Sequence, residues 1–215
     1  MRFPIVLFDL DGTLTDSEAG IVASFRCALH SQGLSAERGA IRSCIGPPLR
    51  QGLTLLGVPA DNLDSAVTAY RAYLTKSGMY ENRLYEGISE VLTSLRSAGI
   101  VMGVATSKLI DSAVPILEHF GISSFFSTVS GATADGRRLH KVDIAAHALD
   151  ELGSPERAGV ALVGDREHDM FAARELGLFA VGAGWGYGNR EELSSSGAHV
   201  ILASPAALTE FLLAA

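Results

Sequence analysis

Short apolar runs alternate with helix-patterned stretches through the second half of this chain, and that rhythm restricts the fold more than any other feature. The runs lie at 100–105, 126–130, 160–163, 178–181 and 199–202. Between and after them, 89–98, 111–120, 142–152, 169–176 and 205–213 carry helical spacing. Gly99, Gly121, Gly153 and Gly177 stand where a helix C-terminus takes a left-handed residue. Strands alternating with helices predict right-handed βαβ units and a parallel sheet. An earlier run, Ile5-Val6-Leu7-Phe8, reads as a strand buried on both faces. Residues 17–83 break the rhythm, with helical patterns at 21–32, 49–56 and 63–77 and no strand-like run until after Tyr85. The expected fold class is α/β: a doubly wound parallel-sheet, Rossmann-like core from 1–16 and 84–215, with 17–83 inserted as a helical cap domain over the strand ends.

The ends of the apolar runs carry the chemistry. Asp9 and Asp11 follow the first run, and on an extended chain their i, i+2 spacing points both carboxylates to one side. Such a pair is costly at the end of a buried strand unless a cation or a shared proton relieves it. Open α/β sheets take their ligands at the carboxyl ends of strands. Asp11-Gly12 alone is a common turn dipeptide; its place after a continuous apolar run is what points to a metal. Gly164-Asp165-Arg166-Glu167-His168-Asp169 repeats the arrangement after 160–163. Either Asp165 or Asp169 alone would serve as a helix cap. Two buried strands that both end in acidic residues ask for more, and oxygen ligands with positions left for water and phosphate suit Mg²⁺.

Two further segments fit an anionic ligand. Thr106-Ser107-Lys108, after 100–105, reads as a strand-to-helix junction whose hydroxyl and backbone N–H groups either cap the helix or hold phosphate oxygens. Lys141 precedes the helix pattern at 142–152. A cation there opposes the helix macrodipole, so it is either solvated or set beside a carboxylate or anion.

Composition narrows the partners. The 215 residues are 47% hydrophobic, enough for a well-formed core. The 24 acidic against 17 basic residues give a formal charge of −7, which argues against general nucleic-acid binding. Cys27 and Cys44 form no CxxC pair and read as ordinary thiols of a reduced compartment. The apolar start is interrupted by Pro4 and Asp9, too short for a signal peptide, and no uninterrupted apolar stretch of about 18 residues suggests a membrane span. A soluble cytoplasmic monomer or homodimer is expected.

In order and placement, Asp9-Leu10-Asp11-Gly12-Thr13, Thr106-Ser107, Lys141 and Gly164-Asp165-x-x-x-Asp169 resemble the motifs of the haloacid dehalogenase-like (HAD) hydrolase superfamily. Ile45-Gly46-Pro47-Pro48-Leu49, the segment 80–88 and Ala105-Thr106-Ser107-Lys108 resemble its phosphoglycolate phosphatase, pyrophosphatase and 5'-nucleotidase members. The resemblance implies a Mg²⁺-dependent phosphatase that hydrolyses a small phosphorylated metabolite through an aspartyl-phosphate intermediate. Asp9 would be the nucleophile, and Asp11 the general acid and then the base. Asp9, Asp165, Asp169 and Asp11 (through its backbone carbonyl) would hold the metal. Thr106, Ser107 and Lys141 would bind the transferring phosphoryl group, with Lys141 also neutralising Asp9. Arg50 and Lys108 are candidates for anionic groups of the substrate. Val142 stands where relatives often have Pro, and Arg166 where many have a small hydroxyl residue, facing either the site or solvent. Pro115 marks either a late helix start or a bend. Trp185-Gly186-Tyr187-Gly188-Asn189 either lines the pocket or forms a surface loop anchored by Trp185. A phosphomutase of the same fold and a non-catalytic binding or regulatory protein are the competing readings.

Overall fold

The computed structural model describes residues 2–214. In chain order, β1 (Ile5–Phe8) and the two-residue strand β2 (Thr15–Asp16) precede the helices α1 (Glu18–Ser31), α2 (Arg38–Arg42), α3 (Leu49–Leu55) and α4 (Leu63–Tyr73). Strand β3 (Arg83–Leu84) pairs with β2 in a two-stranded sheet. Alternation follows: α5 (Ile88–Ser97), β4 (Val101–Leu109), α6 (Ile110–His119), β5 (Thr128–Ala132), α7 (Lys141–Glu151), β6 (Val160–Gly164), α8 (Glu167–Glu175), β7 (Phe179–Ala183), α9 (Arg190–Ser195), β8 (Val200–Leu202) and α10 (Pro205–Leu213). Residues Asp16–Arg83 form one compact unit and the rest of the described chain a second.

The second unit is built on a parallel six-stranded sheet of order β5-β4-β1-β6-β7-β8. The chain runs outward from β1 through β4 to β5, crosses back to β6 and continues to β8. Its direction reverses around β1, so the carboxyl ends of β4, β1 and β6 meet where such sheets place ligands. Phe8 sits between Val104 and Val163, and the Asp9 N–H still donates to Val163 O at 2.9 Å.

Period-two alternation divides the core between the two faces. Leu7, Ala105, Leu162 and Ala180 pack with Ile144 and Leu149 of α7, Met170 of α8 and Leu193 of α9. Val6 and Phe8 point the other way, and Phe8 meets Phe126 edge-on at 6.3 Å between ring centroids. Val6, Leu7 and Phe8 are fully buried, each burial contributing on the order of 1.5–3 kcal/mol against an extended reference chain.

Several boundaries differ from the sequence expectation. Strand β4 does not stop at 105 but continues to Leu109, so Thr106, Ser107 and Lys108 lie in a strand and α6 begins beyond them. The cause is an irregularity in pairing: Thr106 faces Gly131 and Leu109 faces the next residue, Ala132, leaving Ser107 and Lys108 bulged. Gly131 permits the close pass, since a Cβ there would lie 2.8 Å from Lys108 O and 3.0 Å from Ile110 Cα. Helix α7 already includes Lys141, and α8 starts at Glu167. Pro115 sits inside α6, so it does not mark a late start. The helix expected over 63–77 is α4 followed by a π-helical turn, Leu74–Gly78. That turn sets Gly78 against Gly20 of α1 so closely that a Cβ on Gly20 would fall 1.8 Å from Gly78 O, and one on Gly78 would lie 3.0 Å from Gly20 O. Helices α2 and α9 were not anticipated. Each buries a single residue, Ile41 and Leu193, so neither presents an apolar stripe. Neither Cys27 nor Cys44 is in a disulfide. Among the described residues, no helix is long and apolar enough to cross a membrane.

Candidate active site

Strands β1 and β6 deliver Asp9 and Asp165 side by side, and the first turn of α8 adds Asp169. Oxygen atoms of these three buried carboxylates all lie within 4.8 Å of one another. Into this cluster comes Lys141, the first residue of α7. Its Nζ donates to Asp9 Oδ1 at 2.5 Å and forms an ion pair with Asp169 Oδ1 at 2.7 Å. The carboxylates therefore answer the misplacement of a cation at a helix N-terminus. Asp169 also closes the start of α8, where its Oδ2 accepts the Arg166 N–H at 3.1 Å. Its capping role and its place in the cluster are compatible because each uses a different oxygen.

Asp165 is held from three directions. Thr13 Oγ1 donates to its Oδ1 at 3.2 Å, and the Tyr187 N–H to its Oδ2 at 2.8 Å. Gly12, at φ +92°, passes so near that a Cβ there would fall 2.2 Å from Asp165 Oδ2. From the other side, a Cβ on Gly186 would fall 2.3 Å from both Asp165 Cβ and Gly12 O. Trp185 Nε1 donates to Thr13 O at 3.0 Å, tying the loop after β7 to the loop after β1. The 185–189 segment thus braces an acidic residue of the cluster. Sequence alone assigns Thr13 no individual role and leaves 185–189 open between pocket lining and surface loop, although glycines at 184, 186 and 188 are the signal of a backbone pressed against another.

The electrostatics report a surplus of negative charge. Burial raises the Asp9 pKa to about 6; the Lys141 ammonium opposes the rise, and the charges of Asp169 and Asp11 add to it. Asp165 is also raised, by burial first and then by Asp9 and Asp169. Burial works against the Lys141 ammonium, but the Asp169 and Asp9 carboxylates outweigh it and raise its pKa. One ammonium among three buried carboxylates does not balance them. The hard oxygen donors fit a divalent cation such as Mg²⁺.

The remaining candidates separate. The Asp11 carboxylate is not in the trio; its Oδ2 pairs with Lys108 Nζ at 2.8 Å, both side chains largely buried. Thr106 is buried, and its Oγ1 accepts the Lys108 N–H at 3.2 Å within the bulge. Ser107 is half-buried beside it. Arg50 belongs to the helical unit, where it pairs with Asp64 at an exposed position. Arg166 does not simply face solvent: its Nε donates to Glu192 Oε1 at 2.8 Å in a mostly buried pair, and its charge works against the raised pKa of Asp165.

The family follows from comparison with known proteins. Residues 6–183 match the family model of the haloacid dehalogenase-like hydrolases. Tyrosine-protein kinase PtkA of Mycobacterium tuberculosis is 43% identical over 199 residues, spanning 92% of this chain and 67% of that protein. A 5'-nucleotidase of Pseudomonas aeruginosa is 36% identical over 214 residues, spanning 99% of this chain and 96% of that protein. The crystal structure of a predicted phosphatase from Clostridium acetobutylicum shares the fold with a TM-score of 0.94, at 33% identity and with all of both chains covered. The chain belongs to the haloacid dehalogenase-like hydrolase family and is an enzyme of its phosphatase type.

Proposed function

We propose that the protein is a Mg²⁺-dependent phosphatase of small phosphomonoesters that works through a phosphorylated Asp9. The observation that carries this reading is the buried trio of Asp9, Asp165 and Asp169 around Lys141. Asp9, Asp165 and Asp169 would hold the ion, with the backbone carbonyl of Asp11 as a further ligand. Mg²⁺ supplies the charge that lets an anionic nucleophile approach an anionic phosphate.

The chain's own groups divide the work as follows. An Asp9 carboxylate oxygen bonds to phosphorus while the bond from phosphorus to the leaving oxygen breaks. Asp11 gives that oxygen a proton. Lys141 holds Asp9 in place and, with Thr106 and Ser107, binds phosphoryl oxygens. Water then attacks phosphorus, Asp11 takes the water's proton, and phosphate leaves with Asp9 restored. The names of relatives support small substrates: 5'-nucleotidase, pyrophosphatase and phosphoglycolate phosphatase.

A second reading, transfer of the phosphoryl group from Asp9 to another hydroxyl, is favoured by the relative named as a tyrosine-protein kinase and includes a phosphomutase. One panel tests both. Purified protein is given p-nitrophenyl phosphate, phosphoglycolate, pyrophosphate, nucleoside monophosphates and sugar phosphates, with Mg²⁺ or with EDTA. The phosphatase reading expects one inorganic phosphate per phosphomonoester consumed, or two per pyrophosphate, only with Mg²⁺. An isomerised or transferred product in place of free phosphate establishes the second reading, and no turnover of any substrate removes both.

A further inference from the structure

We propose that Lys108 is a positioning residue for the hydrolysis of phosphorylated Asp9, fixing Asp11 by one oxygen so that the other receives the proton of the attacking water. The inference deepens the phosphatase reading and rests on it. The ion pair uses Asp11 Oδ2 alone, at 2.8 Å from Lys108 Nζ. Asp11 Oδ1 is buried and, among the described residues, has no hydrogen-bond partner. A buried carboxylate oxygen with no donor is an unspent acceptor, and such atoms are rare in native structures. Asp11 lies near enough to Asp9 for its charge to be felt there.

The main chain around both residues is built to hold this pair. Asp11 bridges to Thr15, and the Gly12 N–H donates to Thr15 O at 2.7 Å, so the loop after β1 is closed on itself. Lys108 reaches Asp11 from the bulge in β4. That bulge is pinned by its own N–H on Thr106 Oγ1 and by Gly131, where any side chain would strike Lys108 O. A regular β4 would lack the displaced residues 107 and 108. Lys108 thus has a built address on Asp11 Oδ2, which leaves Oδ1 as the open acceptor for the proton of the attacking water. That is the role needed when water attacks, and it is distinct from holding a substrate's anionic group.

Pre-steady-state release of p-nitrophenol from p-nitrophenyl phosphate with Mg²⁺ tests the proposal, because this leaving group departs without a proton. Wild type, Lys108→Met, Lys108→Arg and Asp11→Asn are compared, and the burst amplitude counts only folded, competent sites. Lys108→Met is expected to release close to one p-nitrophenol per site rapidly, then turn over at least tenfold more slowly than wild type. Lys108→Arg, which keeps the charge, is expected to recover most of the steady rate. A Lys108→Met protein with a raised KM and no burst, beside an Asp11→Asn protein that does burst, overturns the proposal and leaves the phosphatase reading standing. If neither Asp11→Asn nor Lys108→Met bursts and no phosphorylated protein survives acid quench, the covalent reading itself fails.

Discussion

Asp9 is pulled in two directions. Burial and its acidic neighbours disfavour its charge, while Lys141 favours it, and the result is a carboxyl with a pKa of about 6 rather than 3.8. The sign of the consequence is fixed by linkage. Between those values the folded protein holds a proton that the unfolded chain releases. The stabilising contribution is complete below about pH 4 and is lost as pH rises through about 6. Thermal melts of the metal-free protein in EDTA are therefore expected to show a falling Tm across that window, and Asp9→Asn is expected to flatten the fall; a slope that the substitution leaves unchanged contradicts the assignment. The same substitution is expected to abolish turnover with the fold intact. Lys141→Met strips the counter-charge from two buried carboxylates. Loss of a positioned donor at a developing charge typically costs ~10²–10³ in rate, and a fall of that size in kcat/KM is expected by phosphate release. Asp9 and Asp165 were legible because each ends an apolar run. The Thr13 and Tyr187 contacts to Asp165 were not, because they join positions 152 and 22 residues apart and leave no local pattern.

At the scale of elements, the site depends on loops that touch backbone to backbone. Gly186 lies against Asp165 and Gly12 O with no room for a methyl group. Gly186→Ala is expected to displace Asp165 and weaken Mg²⁺ binding by ~10–100-fold, as loss of outer support for a metal ligand does. Isothermal titration with MgCl₂ measures it, and an unchanged affinity would show that the 185–189 loop does not brace the cluster. The six strands of the main sheet and most helices were readable from apolar runs and terminal glycines, whereas the two-residue β2 and β3 are too short to carry such a run. The continuation of β4 through 109 was not, since a bulge is a property of the pairing with β5 and not of the β4 sequence alone. Helix α9 carried a readable sign, Asn189 followed three residues later by Glu192, and the Asn189 side chain does accept the Glu192 N–H at 2.9 Å. With one buried residue, that helix has no apolar period to accompany the sign.

The whole molecule carries a net charge of −7, yet its proposed substrates are anionic phosphate esters. That net charge opposes their approach, while in the proposed function Lys141 and the Mg²⁺ ion would favour them at the site. Raising ionic strength from about 10 to 150 mM shortens the screening length from ~30 to ~8 Å and weakens that repulsion. At saturating Mg²⁺, kcat/KM for a dianionic substrate is expected to rise with added KCl; a steep fall would instead indicate attraction by a basic surface. The sheet reversal around β1 makes the acidic cluster possible, because it brings together strand ends separated by more than 150 residues of chain. The central claim is that this cluster exists to make Asp9 accept a phosphoryl group. Its most direct test is to mix Asp11→Asn protein with a phosphomonoester and Mg²⁺, quench in acid, and map the modified peptide by mass spectrometry. A phosphoryl group on Asp9, absent in EDTA, is the result expected; substrate turned over by the wild type while Asp9 never carries phosphate, or phosphate mapped to another residue, would contradict it.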